Sequence, residues 1–123
     1  MVKVVKKGSG RRATGPNGTD VEILVQDADN LSFGKITFNP GQKTENHTRE
    51  VDETLYILSG QTRVVVADKE TYDLEEGDCI YLPAGITHRH ENNSESKFTQ
   101  IWIFAPAGPE KTFLPAGRQV TPR

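Results

Sequence analysis

The three histidines of the chain lie in two short segments, each with charged side chains close by. His47 is followed by Arg49 and Glu53, and His88 is followed by His90. Imidazoles and carboxylates bind divalent metal ions, and an imidazole also accepts or donates a proton near neutral pH. Because side chains two apart on a strand project to the same face, an extended segment places His47 beside Arg49 and His88 beside His90. These residue types indicate a metal site or a proton-transfer site.

The elements that must position these side chains are β-strands. Short segments rich in β-branched and aromatic residues recur along the chain, bounded by Gly, Pro, Asn or Asp, which is typical of an all-β sandwich or barrel. The predicted strands are Val21 to Gln26, Leu31 to Asn39, Glu53 to Leu58, Thr62 to Ala67, Thr71 to Leu74, Cys79 to Leu82, Thr87 to Glu91 and Phe98 to Ala105. In a closed barrel of about eight strands, inward polar side chains must be hydrogen-bonded, hydrated or bound to a metal.

Two sets of fixed spacings surround the histidines. In the first, five residues separate Gly41 from His47, and Glu53 follows Arg49 after three residues and precedes Gly60 by six. In the second, five residues separate Gly77 from the run Pro83 to Gly85, two more lead to His88, and three more lead to Asn92.

These spacings resemble the two motifs of the cupin superfamily. The second motif matches at every fixed position, and the first matches except at Arg49, where the family has its second histidine. The order and short separation of the motifs are similar to those of small microbial single-domain cupins. The resemblance implies a double-stranded β-helix, or jelly-roll, barrel.

The resemblance also implies a metal site formed by His47, Glu53 and His88. Arg49 cannot be a ligand, so two imidazoles and one carboxylate would remain, a facial arrangement that suits non-haem Fe(II). Zn(II), Mn(II), Ni(II) and Co(II) also fit such a set. The cofactor expected is therefore a divalent metal ion of undetermined identity.

Arg49 near a dication needs a negative partner, and the candidates are Glu53, the nearby Glu50 and Asp52, or an anionic group of a substrate. Two of these partners lead to different sites. One is the carboxylate or phosphate of an anionic substrate, which a guanidinium binds through two parallel hydrogen bonds. The other is Glu53, in an ion pair that would take the place of the metal and leave a metal-free pocket. We expect the first, which makes Arg49 a candidate catalytic-site residue.

Three roles are possible for His90, and the sequence does not distinguish among them. It could replace the missing imidazole ligand, although it lies on the wrong strand for the family's geometry. It could donate or accept a proton near the substrate, which makes it a candidate catalytic residue. It could also be a half-exposed histidine at the rim of the barrel.

The last predicted strand carries a row of large side chains on one face. These either wall the pocket or pack in the core or an interface: Phe98, Gln100, Trp102 and Phe104.

Length and charge limit the other function classes. The 123 residues suit a single domain, divided into an irregular basic N-terminal arm over 1–20, a barrel over 21–106 and a tail over 107–123. With a net charge of -2 the chain has no excess of positive charge with which to bind nucleic acid. No apolar run is long enough for a membrane span. We expect a cytoplasmic protein.

The function expected is that of a metal-dependent enzyme on a small anionic molecule. The candidate substrates are a keto acid, sugar acid, sugar phosphate or diketone, with oxygenation, isomerisation or lyase chemistry as the reaction. The alternative is a non-catalytic cupin that binds a small molecule in a metal-free pocket. Open sheet edges in so small a barrel favour a homodimer.

Overall fold

The computed structural model describes residues 2–27 and 29–115 and shows an antiparallel all-β architecture. Its strands are β1 (Arg11–Thr14), β2 (Asp20–Asp27), β3 (Leu31–Phe38), β4 (His47–Thr48), β5 (Asp52–Ser59), β6 (Gln61–Val66), β7 (Glu70–Glu75), β8 (Cys79–Leu82), β9 (Thr87–Glu91), β10 (Phe98–Ala105) and β11 (Leu114–Pro115). Two 3-10 turns, Pro16–Gly18 and Pro109–Thr112, complete the regular structure. Within the described ranges, no helix has the length and apolar character needed to cross a bilayer.

The strands form two sheets. The larger has seven strands in the order β11-β1-β2-β3-β10-β5-β8, and the smaller has four in the order β4-β9-β6-β7. Burial alternates along β3 and β10, as expected for strands with one face in the interior. The inner face of the larger sheet carries most of the apolar core, and each fully buried Phe or Leu there contributes roughly 1.5–3 kcal/mol.

Asn92, the last fixed residue of the second motif, joins the two motif segments. Its side chain is fully buried, and its amide nitrogen donates to the carbonyl oxygens of Phe38, Asn39 and Ser96. Its backbone carbonyl accepts a hydrogen bond from the amide of Gly41 at 2.9 Å. Asn92 therefore fixes the loop that leads into the first motif, which is a structural role.

Gly60, the last fixed residue of the first motif, forms the turn between β5 and β6. Its φ of 80° lies in the left-handed region, and a Cβ there would lie 2.5 Å from the carbonyl oxygen of Lys97. Both the conformation and the close approach require glycine.

The eight predicted strands are all present, with ends that agree to within one residue. The irregular structure predicted for 1–20 is wrong over Arg11–Thr14, which forms β1 and pairs with β2. The predicted tail is also ordered in part, because Leu114–Pro115 pairs with β1. Arg12 in this pairing is neutralised by Asp20 at 2.8 Å, so it is not part of a free basic arm. Residue 1 and residues 116–123 of the predicted arm and tail lie outside the described residues.

Candidate metal centre

The smaller sheet brings all three histidines together. His47 on β4 is the register partner of His88 on β9, and their ring centroids are 4.3 Å apart. His90 lies two residues further along β9 on the same face, with its centroid 5.1 Å from that of His88 and 5.7 Å from that of His47. One ring nitrogen from each histidine lies within 4.8 Å of the others, a separation that a shared metal ion could span.

This grouping changes the assignment of His90. The prediction that it lies on the wrong strand for a ligand is not supported, because the register of β4 and β9 places it with the other two imidazoles. The interpretation of His90 as a half-exposed histidine at the rim of the barrel is wrong, since its side chain is only 4% exposed. The pairing of β4 with β9, which sequence patterns cannot supply for a two-residue strand, is what makes His90 a candidate ligand.

Backbone carbonyls orient two of the rings. Nδ1 of His47 lies 2.8 Å from the carbonyl oxygen of Glu45, and Nδ1 of His88 lies 3.1 Å from that of Ile86. A carbonyl oxygen only accepts, so both Nδ1 atoms donate a proton, and in a neutral ring of this tautomer Nε2 is the atom with the lone pair. This is the arrangement by which proteins hold imidazole ligands for a metal.

Burial keeps two of the imidazoles, those of His47 and His90, neutral. Desolvation and the neighbouring His88 lower the pKa of His47 to about 4. The pKa of His90 is held well below its ordinary value, first by its complete burial and then by His88 and His47. Both imidazoles are therefore unprotonated near neutral pH, which is the state that binds metals.

Glu53, on β5 of the larger sheet, faces the cluster from the opposite layer. Its side chain is 5% exposed, and its Oε1 lies 3.3 Å from Nε2 of His88. Neither atom has a hydrogen-bond partner in the described part of the chain. Buried carboxylate and imidazole atoms without partners are costly, and a shared cation would satisfy both.

Arg49 follows β4 and reaches into the same space. Its guanidinium carbon lies 5.7 Å from the centre of the Phe104 ring, and its Nε is buried with no hydrogen-bond partner among the described side chains. Burial lowers the pKa of the guanidinium, and the charge of Glu53 acts in the opposite direction. The ion pair with Glu53 is not formed: no Arg49–Glu53 contact occurs among the salt bridges of residues 2–27 and 29–115.

A small chamber of about 30 Å³ adjoins the cluster, and a wider cleft of about 380 Å³ lies beside it. His47, Arg49, Thr44, Pro16 and Phe113 line both spaces, which places the cleft at the entrance to the chamber. The inner volume is enough for about two water-sized groups, so only the end of a ligand fits there.

One face of β10 was predicted either to wall the pocket or to pack in the core. Its side chains are divided between these two roles. Phe98 is fully buried in the core and stacks on Phe38, with ring centroids 4.6 Å apart. Gln100, Trp102 and Phe104 line the chamber. Gln100 Oε1 and Trp102 Nε1 are buried and lack partners in the described residues, which the sequence pattern could not show.

A larger cleft of about 430 Å³ lies elsewhere, around Arg63 and Asp73. Its lining contains no histidine, and Arg63 already pairs with Asp73 at 2.8 Å. We assign the functional site to the histidine cluster, because its polar atoms are buried and unsatisfied.

The donor set fits a divalent metal ion. The imidazoles of His47, His88 and His90 converge with Oε1 of Glu53 on one region, and carbonyl contacts at Nδ1 orient the first two rings. Two or three imidazoles with a carboxylate suit Fe(II), Mn(II), Ni(II), Co(II) and Zn(II).

The fold and this site define a small β-barrel protein with a histidine-rich interior. Residues 34–104 match the Cupin domain family, which is more than half of the chain. The chain belongs to the cupin family, as its two motifs predicted.

Known relatives agree with this assignment. The chain is 26% identical over 102 residues to the L-ectoine synthase of Vibrio campbellii, which covers 81% of this chain and 79% of that protein. Among solved structures it is similar to KdgF from Halomonas sp., with a TM-score of 0.79, 19% identity and coverage of 90% of this chain and 99% of that one. The polyketide cyclase RemF from Streptomyces resistomycificus gives a TM-score of 0.75, 19% identity and coverage of 97% and 88%. At these identities the two structures show the fold alone.

Proposed function

We propose that this cupin is a metal-dependent enzyme that acts on a small anionic molecule. His47, His88 and His90 would hold the metal, with Glu53 as the carboxylate ligand. The observation that carries the proposal is the convergence of ring nitrogens of three imidazoles within 4.8 Å of one another, next to the buried carboxylate of Glu53, whose Oε1 lies 3.3 Å from Nε2 of His88. Glu53 would also reduce the charge of the ion.

The metal would supply Lewis-acid chemistry, polarising a carbonyl or carboxylate oxygen of the substrate. Arg49, at the entrance of the chamber, would bind the anionic group and orient the substrate. The apolar surroundings, including Phe104 and Phe113, would exclude water from the reacting atoms.

The role for His90 differs from the acid–base role that the sequence suggested as one possibility. Its burial and its place among the imidazoles favour ligation. The reaction classes that suit this site are oxygenation, isomerisation and lyase chemistry on a keto acid, sugar acid, sugar phosphate or diketone. An enzymatic role is supported by a relative that is a synthase.

Metal analysis of the purified protein tests the proposal. We expect about one Fe, Mn, Zn, Ni or Co ion per chain in the wild type and little in His88→Ala or His90→Gln. Tyr81→Phe, which changes an exposed side chain, is the matched control and should retain the metal. A wild type that stays metal-free after incubation with each of these ions would contradict the proposal and favour a non-catalytic binding protein.

We also propose that the protein is a cytoplasmic homodimer, as the sequence predicts. The edge strand β8 has no partner on its outer side within the described chain, and exposed Tyr81 lies on it. Size-exclusion chromatography with light scattering should give about twice the 13.6 kDa chain mass. A clean monomer would contradict the dimer without affecting the metal site.

A further inference from the structure

Three residues that line the chamber, in addition to histidines and Glu53, each carry a buried polar atom without a partner in the described chain. The atoms are Nε of Arg49, Nε1 of Trp102 and Oε1 of Gln100. Two are donors and one is an acceptor. Buried groups of this kind are normally satisfied, so three of them on residues around one small cavity favour a polar group bound there.

Trp102 is held in place by close packing. A Cβ at Gly34, its register partner on β3, would lie 2.4 Å from Cζ2 of the indole and 2.8 Å from Cε2. Phe104 and Phe113 contact the ring from other directions, with centroids 5.2 and 5.7 Å away. The indole is 2% exposed, so its N–H has a fixed direction and little access to bulk water.

Gln100 lies two residues before Trp102 on the same face of β10. It is also 2% exposed, and its register partners are Ile36 on β3 and Ile57 on β5. Neither isoleucine side chain can donate a hydrogen bond to the amide oxygen. A donor on a ligand group bound in the chamber would satisfy Oε1.

The size of the chamber restricts the ligand group that enters it. About 30 Å³ accepts a planar carboxylate more readily than a tetrahedral phosphate with its four oxygens. The rest of the ligand would lie in the adjoining cleft of about 380 Å³.

We infer that the ligand is a small 2-hydroxycarboxylic acid recognised by Arg49, Trp102 and Gln100. The carboxylate accepts hydrogen bonds from Nε–H of Arg49 and Nε1–H of Trp102, and the adjacent hydroxyl donates to Oε1 of Gln100. Trp102 and Gln100 thereby determine specificity for the substrate class. This inference rests on the proposed function for the anion-binding role of Arg49.

Calorimetric titration with the matched pair lactate and propionate tests the inference, since the two acids differ by one hydroxyl. The wild-type protein, with its metal content measured, should bind lactate about tenfold more tightly than propionate, as expected for one hydrogen bond in a buried site. Gln100→Met should remove this preference and leave propionate binding unchanged. Trp102→Phe should weaken both acids by about tenfold, because a donor to the carboxylate is lost.

Trp102 is the single tryptophan of the chain, so its fluorescence provides a second measurement, made on the wild-type protein. Saturating lactate should change the emission of the wild type, whereas Tyr56→Phe, on the exposed face of β5, should titrate as the wild type does. Equal affinity for lactate and propionate, absence of binding, or no change in emission would overturn the inference.

Measuring the metal content distinguishes failure of the hydroxy-acid inference from failure of the proposed metal-dependent function. A metal-loaded protein without a preference for lactate would overturn the recognition of a hydroxy acid alone. A protein that takes up no metal but prefers lactate would overturn the metal-dependent enzyme alone.

Discussion

Oε1 of Glu53 lies 3.3 Å from Nε2 of His88, and neither atom has a hydrogen-bond partner among the described residues. The two side chains come from different sheets, β5 and β9, and both are buried. A carboxylate in such a position is unfavourable without a cation or a donor. Stability of the fold therefore does not by itself favour Glu53 at this position.

Glu53→Gln separates the contribution of Glu53 to metal binding from its contribution to stability. The amide keeps the size of the side chain but loses its charge, so metal affinity should fall by at least the roughly 10- to 100-fold that loss of an outer-shell partner causes. The free energy of unfolding of the metal-free variant should equal or exceed that of the wild type, because an unpaired buried charge has been removed. Metal titration and urea unfolding measure the two quantities. Lower stability of the metal-free variant would show that Glu53 has a structural role.

Arg49→Met should have opposite effects on cation and anion binding. Removal of a positive charge near the metal should raise metal affinity severalfold, whereas binding of small carboxylates should be lost. Competition with a chelator and calorimetric titration with lactate measure these changes. Arg63→Met is the matched control, because Arg63 is exposed and pairs with Asp73 away from the histidines. Unchanged carboxylate binding in Arg49→Met would contradict the role of Arg49.

Acid should destabilise the metal-free protein over a defined range of pH. The pKa of His47 is lowered to about 4 in the folded chain, from 6.5 when unfolded, so the unfolded state binds more protons between these values. Stability is therefore complete above about pH 6.5 and falls as the pH decreases toward 4, by at most about 3 kcal/mol from His47. The lowered pKa of His90 acts in the same direction.

Urea unfolding of the metal-free protein at several pH values between 4 and 7.5 measures this dependence. His47→Gln should flatten the curve, since glutamine does not titrate. Identical curves for the variant and the wild type would contradict the lowered pKa of His47.

Gly34→Ala should be strongly destabilising. The new Cβ would lie 2.2 Å from the carbonyl oxygen of Glu22 and 2.4 Å from the Trp102 ring, so either the β2–β3 pairing or the indole must move. We expect a loss of about 2–4 kcal/mol of unfolding free energy and a shift in tryptophan emission. Gly10→Ala is the control, because its Cβ meets only the flexible side chain of Glu22. Equal stability of the two variants would contradict the close contact.

The strands could be predicted from the sequence because alternation and turn residues are local signals. Cys79–Leu82, Thr87–Glu91 and Phe98–Ala105 begin and end where the pattern indicates. Strands β1 and β11 carry no such pattern: Arg11 and Arg12 are polar and exposed, and Leu114–Pro115 has only two residues. Their formation depends on pairing with each other and with β2, which are contacts distant in sequence.

The candidate site could be predicted only in part for the same reason. The resemblance to the cupin motifs implies His47, Glu53 and His88 as ligands, but the proximity of His90 to them depends on the pairing of β4 with β9. The unsatisfied atoms of Gln100 and Trp102 could not be predicted either. Alternation places these side chains inside, but only the three-dimensional arrangement shows that no donor or acceptor of the described chain reaches them.

The two-residue length of β4 has a consequence for how readily this strand opens locally. His47 lies in a strand of two residues at the edge of the smaller sheet, whereas Glu53 belongs to the eight-residue strand β5 of the larger sheet. A metal ion bound by both would act as a cross-link between the two layers and would hold β4 against β9. Amide hydrogen exchange at His47 and Thr48 would then slow on metal loading far more than exchange in β10, which is paired on both sides.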